Sequence, residues 1–177
     1  MRKLIESTFV SLDGIITEPQ RWSPPYWDEE HAGYASELLF SSDALVLGRK
    51  TYEAFAEAWP QRSGDPYTDR INSMPKYVAS RTLDDATWNA EILGEDVVGE
   101  VAALKEQEGQ NLLKFGTGEF SKTLLDAKLV DEYHFWLFPV IAGSGDRLFG
   151  GLDMTHLNLA DTTTFGSGIV VLKYTPK

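Results

Sequence analysis

Three short segments of this chain combine glycine, basic and hydroxyl residues in a way that suits an anion such as phosphate. They are Gly48-Arg49-Lys50-Thr51, Ser80-Arg81-Thr82 and Gly116-Thr117-Gly118-Glu119. Glycine lets a ligand approach the backbone closely, the free N–H groups at a helix start attract an anion, and an arginine fork binds phosphate. We therefore predict an anion-binding site built from these three segments.

Each of these segments follows an apolar run that is typical of a β-strand. The run before the first, "DALVLG", does not alternate with polar residues, which predicts a strand buried on both faces of a parallel sheet. The runs "PKYVAS" and "NLLKFG" precede the other two. In an open α/β sheet, ligands bind at the carboxyl ends of the strands. The sequence therefore predicts that the three segments share one edge of a sheet.

The remaining chain continues the alternation of strands and helices. A first strand is predicted in "KLIESTFVSLDG", and a hairpin around residues 165–168 closes the chain. Residues 60–74 are polar, and we expect them to be irregular with at most one short helical turn. The pattern predicts one domain over residues 1–177, a three-layer α/β fold whose mostly parallel sheet has antiparallel strands at its C-terminal end.

Composition restricts the partners and the chemistry. The 177 residues include 16 basic and 27 acidic ones, so a net charge of −11 would repel nucleic acid. The absence of cysteine excludes disulfides, thiolate catalysis and cysteine-ligated zinc. His31, His134 and His156 are isolated, so no metal site is expected. No apolar run is long enough for a membrane span and no signal peptide is recognisable, so we expect a cytoplasmic protein.

An ordered set of motifs resembles the dihydrofolate reductase-like superfamily. The motifs are "SLDG" (11–14), "LGRKTYE" (47–53), "ASRTL" (79–83), the glycine turn before "EFSKTLLDAKLVDE" (119–132) and "FPVIAGSGDRLF" (138–149). The set is most similar to the C-terminal reductase domain of bifunctional riboflavin-biosynthesis deaminase/reductases and to its stand-alone relatives. It follows the family order over nearly the whole chain.

The resemblance implies NADPH as cofactor. By position, the phosphates would be held by Gly48, Arg49, Lys50 and Thr51. The 2′-phosphate of the adenosine ribose would bind at Ser80, Arg81 and Thr82, and the pyrophosphate at Gly116, Thr117, Gly118 and Glu119. The family usually has a Gly-Gly pair in this last turn, which Thr117 interrupts here.

The activity implied by the resemblance is NADPH-dependent hydride transfer to a small heterocyclic substrate, as in 5-amino-6-(5-phosphoribosylamino)uracil reductase of riboflavin biosynthesis. Two alternatives stay open: reduction of dihydrofolate, and a nucleotide-binding protein of the same fold without turnover. The deaminase chemistry of the bifunctional enzymes needs zinc with cysteine ligands, so it is not expected here.

Hydride transfer to a C=N or C=O carbon requires a proton for the neighbouring atom. The candidate donors are Asp13, Asp28 and Glu29. Asp13 either forms the Asp-Gly turn or, as the resemblance implies, lies beside the nicotinamide pocket. Asp28 and Glu29 are equally well explained as charges that cap a helix N-terminus. The aromatic residues of the proline-rich loop either stack on a flat heterocycle or close the edge of the core: Trp22, Tyr26 and Trp27.

The strand within "DEYHFWLFPV" predicts a homodimer. Alternation places Tyr133, Phe135 and Leu137 on one face and His134, Trp136 and Phe138 on the other. We expect helices of the same chain to cover one face and a partner subunit to cover the other, and the riboflavin-type reductase domains are similar in pairing through this end of the sheet. The alternative is that a third layer of the same chain leaves both faces covered, as a parallel sheet allows.

Overall fold

The computed structural model describes residues 1–177, which form eight β-strands, five α-helices and two short 3₁₀ helices. The strands are β1 (Leu4–Ser11), β2 (Ser42–Gly48), β3 (Lys76–Ala79), β4 (Ala90–Leu93), β5 (Asn111–Phe115), β6 (Glu132–Phe138), β7 (Leu157–Thr164) and β8 (Val170–Pro176). The α-helices are α1 (Glu29–Phe40), α2 (Arg49–Ala58), α3 (Pro66–Ser73), α4 (Val97–Glu106) and α5 (Glu119–Asp126). The 3₁₀ helices, Pro19–Arg21 and Pro24–Tyr26, lie between β1 and α1.

All eight strands belong to one sheet, in the order β4-β3-β2-β5-β1-β6-β8-β7. The strands from β4 to β6 pair in parallel, and β8 pairs antiparallel with both β6 and β7. The predicted fold class is therefore confirmed, including the C-terminal hairpin. The carboxyl ends of β3, β2, β5 and β1 follow one another along the same edge, which we call the carboxyl edge.

Two buried clusters, one on each face of the sheet, hold the layers together. On one face, Leu39 of α1, Tyr52 of α2 and Ile71 of α3 pack on the sheet. On the other face, Val101 of α4 and Leu124 of α5 do so. The central strand β2 contributes to both clusters, and its residues 44–47 are at most 2% exposed. Its apolar sequence without alternation thus reflects burial on both faces.

Residues 66–73 form the helix α3, so the prediction of an irregular stretch was wrong. Asp65 caps the helix, accepting hydrogen bonds from Thr68 N at 3.0 Å and Thr68 Oγ1 at 2.6 Å. Pro66 occupies the first helical turn, where its missing N–H is not needed. Ile71 and the following Met74 are buried in the core. Because most residues of α3 are polar, the sequence shows no clear helical pattern of apolar residues here.

Strand β6 lies inside the sheet, between β1 and β8, and this chain covers both of its faces. Trp136 is 1% exposed, and its Nε1 donates a hydrogen bond to Ser7 Oγ at 3.0 Å. Its ring is enclosed by Phe9, His31, Tyr34 and Phe165. On the opposite face, Tyr133 and Phe135 pack against Phe149. The expectation that one face needs a partner subunit was therefore wrong, and the homodimer remains a prediction based on the resemblance alone.

None of the five α-helices combines the length and the hydrophobicity that crossing a lipid bilayer requires.

Candidate functional site

The three predicted anion-binding segments lie side by side at the carboxyl edge of the sheet. Residues 80–82 follow β3, residues 48–51 join β2 to α2, and residues 116–119 join β5 to α5. Since β3, β2 and β5 are consecutive neighbours, two strand spacings of about 4.8 Å separate the outer segments. Strand β1 adds residues 11–13 one spacing further, which extends the edge to roughly 14 Å. The structure thus brings all the predicted cofactor-binding residues onto one edge.

The helices that begin in two of these segments differ from the other three in how they are capped. Helices α1, α3 and α4 each start with an aspartate whose side chain accepts a backbone N–H: Asp28, Asp65 and Asp96. Helices α2 and α5 start after Gly48 and Gly118, and no side chain of the capping residue accepts their N–H groups. The first-turn N–H groups of α2 and α5 are therefore available to an anion, which the helix dipole also attracts.

The turns before α2 and α5 contact each other at Gly116. A Cβ atom on Gly116 would lie 3.0 Å from Thr51 Oγ1, and its φ of +74° is in the left-handed region, so this position favours glycine. Gly48 has a φ of −75° and no such requirement. A Cβ atom on Gly118 would meet no atom within 4 Å, which leaves open space above the start of α5.

Thr117 is accommodated in the turn without strain, because the positive φ falls on Gly116 instead. Its Oγ1 is buried and has no hydrogen-bond partner within the chain. An unpartnered buried hydroxyl, uncapped helix N-termini and open space at Gly118 together fit a diphosphate group. The carboxylate of Glu119 is exposed in the first turn of α5, so only its backbone N–H suits an anion.

The basic residues of the site differ in whether they form ion pairs within the chain. Arg49 pairs with Glu53 one helical turn away, at 3.3 Å, and both side chains are exposed. Arg81 is exposed and forms no ion pair within the chain. The hydroxyl of Ser80 accepts the N–H groups of Thr82 and Leu83 at 3.2 Å and 3.1 Å, so Ser80 shapes the turn that presents Arg81. Arg81 and the exposed Lys50 are thus the cations of the three segments that form no ion pair within the chain.

Asp13 anchors the loop that follows β6. Its Oδ1 accepts hydrogen bonds from Ser11 Oγ at 2.6 Å and from Ala142 N at 2.9 Å, and its Oδ2 accepts one from Gly143 N at 2.8 Å. These bonds, that of Ser11 foremost, lower the pKa of Asp13 to about 2. A carboxylate that is ionised at neutral pH and already accepts three hydrogen bonds has no proton to deliver. The geometry favours a role for Asp13 in shaping the loop.

The other two candidate acids lie at the start of α1. Asp28 is the N-cap, and its Oδ1 accepts a hydrogen bond from His31 N at 2.9 Å. Glu29 is exposed in the first turn, where its charge complements the helix dipole. Both positions fit the capping interpretation, and a catalytic role for either residue stays a prediction.

The aromatic residues of the proline-rich loop divide between the two interpretations. Trp22 and Tyr26 pack edge-on against Phe138, and Tyr26 Oη donates to the carbonyl of Pro139 at 3.1 Å, so these two close the edge of the core. Trp27 is 52% exposed and stacks on His31 with ring centroids 5.6 Å apart. Of the three rings, Trp27 is the one that still has a free face for a ligand.

His31 was not selected from the sequence. It is the third residue of α1, and its ring is enclosed by Trp27, Phe9 and Trp136. Its Nε2 is buried without a hydrogen-bond partner, and burial lowers the pKa of the ring, opposed by the nearby charge of Asp28. A histidine one turn after a capping aspartate gives no periodic signal, so only the fold reveals this titratable group.

A polar cavity of about 440 Å³ lies at the opposite, amino-terminal edge of the sheet. There His134 Nε2 lies 3.2 Å from Glu132 Oε2, and His134 Nδ1 lies 2.7 Å from Tyr34 Oη. Glu132 also pairs with Lys3 at 2.8 Å and with Lys173 at 3.1 Å. Although burial alone would raise it, hydrogen bonds from these lysines and from His134 lower the pKa of Glu132 to about 2. The cavity shares no residue with the carboxyl-edge site.

Comparisons with known proteins identify relatives of this chain and structures with its fold. YwjB of Bacillus subtilis (strain 168), a protein without a characterised function, is 30% identical over 173 residues, which cover 95% of each chain. Among solved structures, a Shewanella sp. PV-4 protein described as a riboflavin biosynthesis protein superposes with a TM-score of 0.75 at 24% identity and covers 99% of both chains.

A larger enzyme has the same fold in part of its chain. The diaminohydroxyphosphoribosylaminopyrimidine deaminase/5-amino-6-(5-phosphoribosylamino)uracil reductase of Thermotoga maritima matches with a TM-score of 0.68 at 15% identity. The match covers 99% of the present chain and 57% of that enzyme. At such identities these two structures establish the fold. The model of the RibD C-terminal domain matches residues 2–171, and the chain therefore belongs to the RibD C-terminal domain family.

Proposed function

We propose that this chain is an NADPH-dependent reductase that transfers a hydride to a small heterocyclic substrate. The observation that carries the proposal is the pair of uncapped helix N-termini, α2 and α5, on neighbouring strands at the carboxyl edge. The start of α2 lies one strand spacing from the exposed Arg81, and the start of α5 lies two. Family membership supports a reductase of the riboflavin-biosynthesis type.

The chain offers separate groups for each part of the cofactor. The backbone N–H groups at the starts of α2 and α5 would hold the pyrophosphate, together with the hydroxyl of Thr117. Arg81 would pair with the 2′-phosphate, and Lys50, which is exposed in the first turn of α2, would add positive charge. When bound, NADPH supplies the hydride. The loop anchored by Asp13 and the ring of Trp27 flank the end of the edge nearest β1, where the substrate would bind.

Discrimination between NADPH and NADH tests the cofactor part of the proposal. A charged hydrogen-bond pair between Arg81 and the 2′-phosphate contributes about 1.5 to 3 kcal/mol. Titration calorimetry should therefore show NADPH binding roughly tenfold to a hundredfold more tightly than NADH. Arg81→Ala should remove this difference. The matched control is Arg62→Ala, an exposed arginine beyond the C-terminal end of α2, which should leave both affinities unchanged. Equal wild-type affinities for the two nucleotides would contradict the assignment.

The substrate is proposed from the neighbours' chemistry. The T. maritima enzyme is named for reduction of 5-amino-6-(5-phosphoribosylamino)uracil, and we propose a substrate of this pyrimidine class. Oxidation of NADPH, followed by its absorbance, should be fastest with that pyrimidine in a panel that includes pterins and quinones. Faster turnover of dihydrofolate would favour dihydrofolate reductase activity instead.

A nucleotide-binding protein without turnover is the second candidate. It is favoured because none of the three candidate acids is placed as a clear proton donor. Asp13 is ionised, Asp28 caps α1, and Glu29 is exposed in the first turn of α1. Tight NADPH binding without oxidation by any member of the panel would establish this second function.

A further inference from the structure

A buried ion pair lies beneath the turn that joins β5 to α5. Glu6 of β1 and Lys114 of β5 are direct partners in the parallel register, and Glu6 Oε2 lies 3.3 Å from Lys114 Nζ. Their side chains are 0% and 3% exposed. Burying two charges carries a desolvation penalty that mutual attraction only partly offsets, so a buried pair of this kind calls for a specific role.

The ammonium of Lys114 holds the turn at two points. Its Nζ donates to the carbonyl of Gly116 at 2.6 Å and to Ser121 Oγ at 2.7 Å. Ser121 Oγ in turn accepts the N–H of Gly118 at 3.3 Å. An ammonium has three N–H donors, and two of them bond to Gly116 and Ser121, which leaves one for the ion pair with Glu6. Lys114 therefore holds both Gly116, which begins the β5–α5 turn, and Ser121, which lies in the first turn of α5.

This contact sets the direction of the peptide between Gly116 and Thr117. In a planar trans peptide the C=O and N–H groups point in opposite directions. Because the Gly116 carbonyl points inward to Lys114, the N–H of Thr117 must point away from the core, towards the carboxyl-edge site. This N–H makes no backbone hydrogen bond within the chain.

The surroundings of the pair are polar but incompletely bonded. Both carboxylate oxygens of Glu6 lack a hydrogen-bond partner, and so do Thr8 Oγ1, Thr117 Oγ1 and Tyr133 Oη. Tyr133 is the partner of Glu6 in the register of β1 and β6, and Thr8 follows Glu6 on the same face of β1. Burial lowers the pKa of Lys114 and raises that of Glu6, and the attraction between them opposes both shifts. A network with this many unpartnered atoms is poorly explained by stability alone.

We propose that Lys114, held in place by Glu6, is a positioning residue for pyrophosphate binding. It orients the Gly116–Gly118 turn so that backbone N–H groups face the anion. This inference rests on the proposed function, in which that turn holds the pyrophosphate of NADPH. It predicts an effect confined to ligands that carry a pyrophosphate.

Two ligands and two lysines test the inference. NADPH engages the turn, whereas adenosine 2′-monophosphate lacks the pyrophosphate and would bind only near Arg81. Calorimetry on Lys114→Met should show NADPH affinity reduced by about tenfold and adenosine 2′-monophosphate affinity within twofold of wild type. The matched control is Lys122→Met, which removes an α5 lysine that pairs with Asp126 on the surface and should change neither affinity.

Ser121→Ala keeps the inference testable if Lys114→Met does not fold. It removes the hydrogen bond between Lys114 Nζ and Ser121 Oγ without removing a charge. It should weaken NADPH binding by at least threefold and again spare adenosine 2′-monophosphate. Equal losses for both ligands would indicate general damage and overturn the inference, as would unchanged NADPH binding. If wild-type protein binds neither ligand, the proposed function fails, and this inference fails with it.

Discussion

Thr51 Oγ1 lies 3.0 Å from the point that a Cβ atom on Gly116 would occupy, so the first turn of α2 closely approaches the β5–α5 turn at the carboxyl edge. The two turns come from segments 65 residues apart in the chain, and their approach depends on glycine at position 116. This close approach lies within the site where we propose that the pyrophosphate binds.

Gly116→Ala is expected to destabilise the protein and to weaken NADPH binding. A left-handed φ costs an alanine about 1 to 2 kcal/mol, and the new methyl group would also crowd Thr51. Chemical denaturation measures the first effect and calorimetry the second. Gly118→Ala is the matched control, since that position is extended and opens to free space, and its unfolding free energy should stay close to that of wild type. Equal stability of the two variants would contradict the role assigned to Gly116.

Asp13→Asn is expected to lower turnover while NADPH affinity changes less than twofold. The amide nitrogen would face the N–H of Ala142 or Gly143, so the loop after β6 would lose an anchor. Because the pKa of Asp13 is about 2, the carboxylate does not titrate at ordinary assay pH. The pH–rate profile of the variant should therefore keep the shape of the wild-type profile. A profile that loses one limb in the variant would restore Asp13 as a proton donor.

Trp136→Glu is expected to unfold the chain. The substitution buries an unpaired carboxylate and removes the hydrogen bond to Ser7, at a cost of about 4 kcal/mol or more. Circular dichroism should show the loss of structure. Leu159→Glu on the edge strand β7 is the control, since Leu159 is 56% exposed and the variant should fold.

Light scattering coupled to size exclusion tests the homodimer separately, on wild-type protein. A folded, monomeric Trp136→Glu variant of a dimeric wild type would reinstate β6 as an interface.

Glu132 is expected to make the protein sensitive to acid. Its folded pKa of about 2 lies below the ordinary value of 4.5, so its ion pairs contribute stability above pH 4.5 that is lost as pH falls towards 2. Glu132→Gln should therefore be less stable than wild type at pH 7 and should lose less stability across this window. Urea denaturation at several pH values measures both. The control is Glu37→Gln, which changes a residue of the same cavity that forms no ion pair and should retain the wild-type slope.

Patterns that depend on neighbouring residues were predictable from the sequence. The apolar run of β2 and the glycine-containing turns predicted the sheet and the position of the three candidate anion-binding segments, because periodicity and turn residues act locally. The helix α3 was missed because its buried residues are only Thr68 and Ile71, of which one is polar, and the buried Met74 lies beyond its end.

Relations between distant strands were not predictable. Glu6 and Lys114 each look like one polar residue in an apolar run, and only the register of β1 with β5 makes them a pair. The position of β6 inside the sheet likewise depends on where the hairpin docks, which no local pattern reports. For the same reason the sequence did not predict that Asp13 accepts hydrogen bonds from Ala142 and Gly143, about 130 residues away in the loop after β6.

The missing caps of α2 and α5 also have a dynamic consequence. The first-turn N–H groups of α2 and α5 have only water as a hydrogen-bond acceptor, whereas an aspartate caps each of the other three helices. The N-terminal ends of α2 and α5 should therefore open more often than those of α1, α3 and α4. Amide hydrogen exchange at these positions should be fast in the free protein and slow when an anion fills the edge. A bound dinucleotide would then stabilise the first turns of α2 and α5. Without it, these two turns would open more often than the first turns of the other helices.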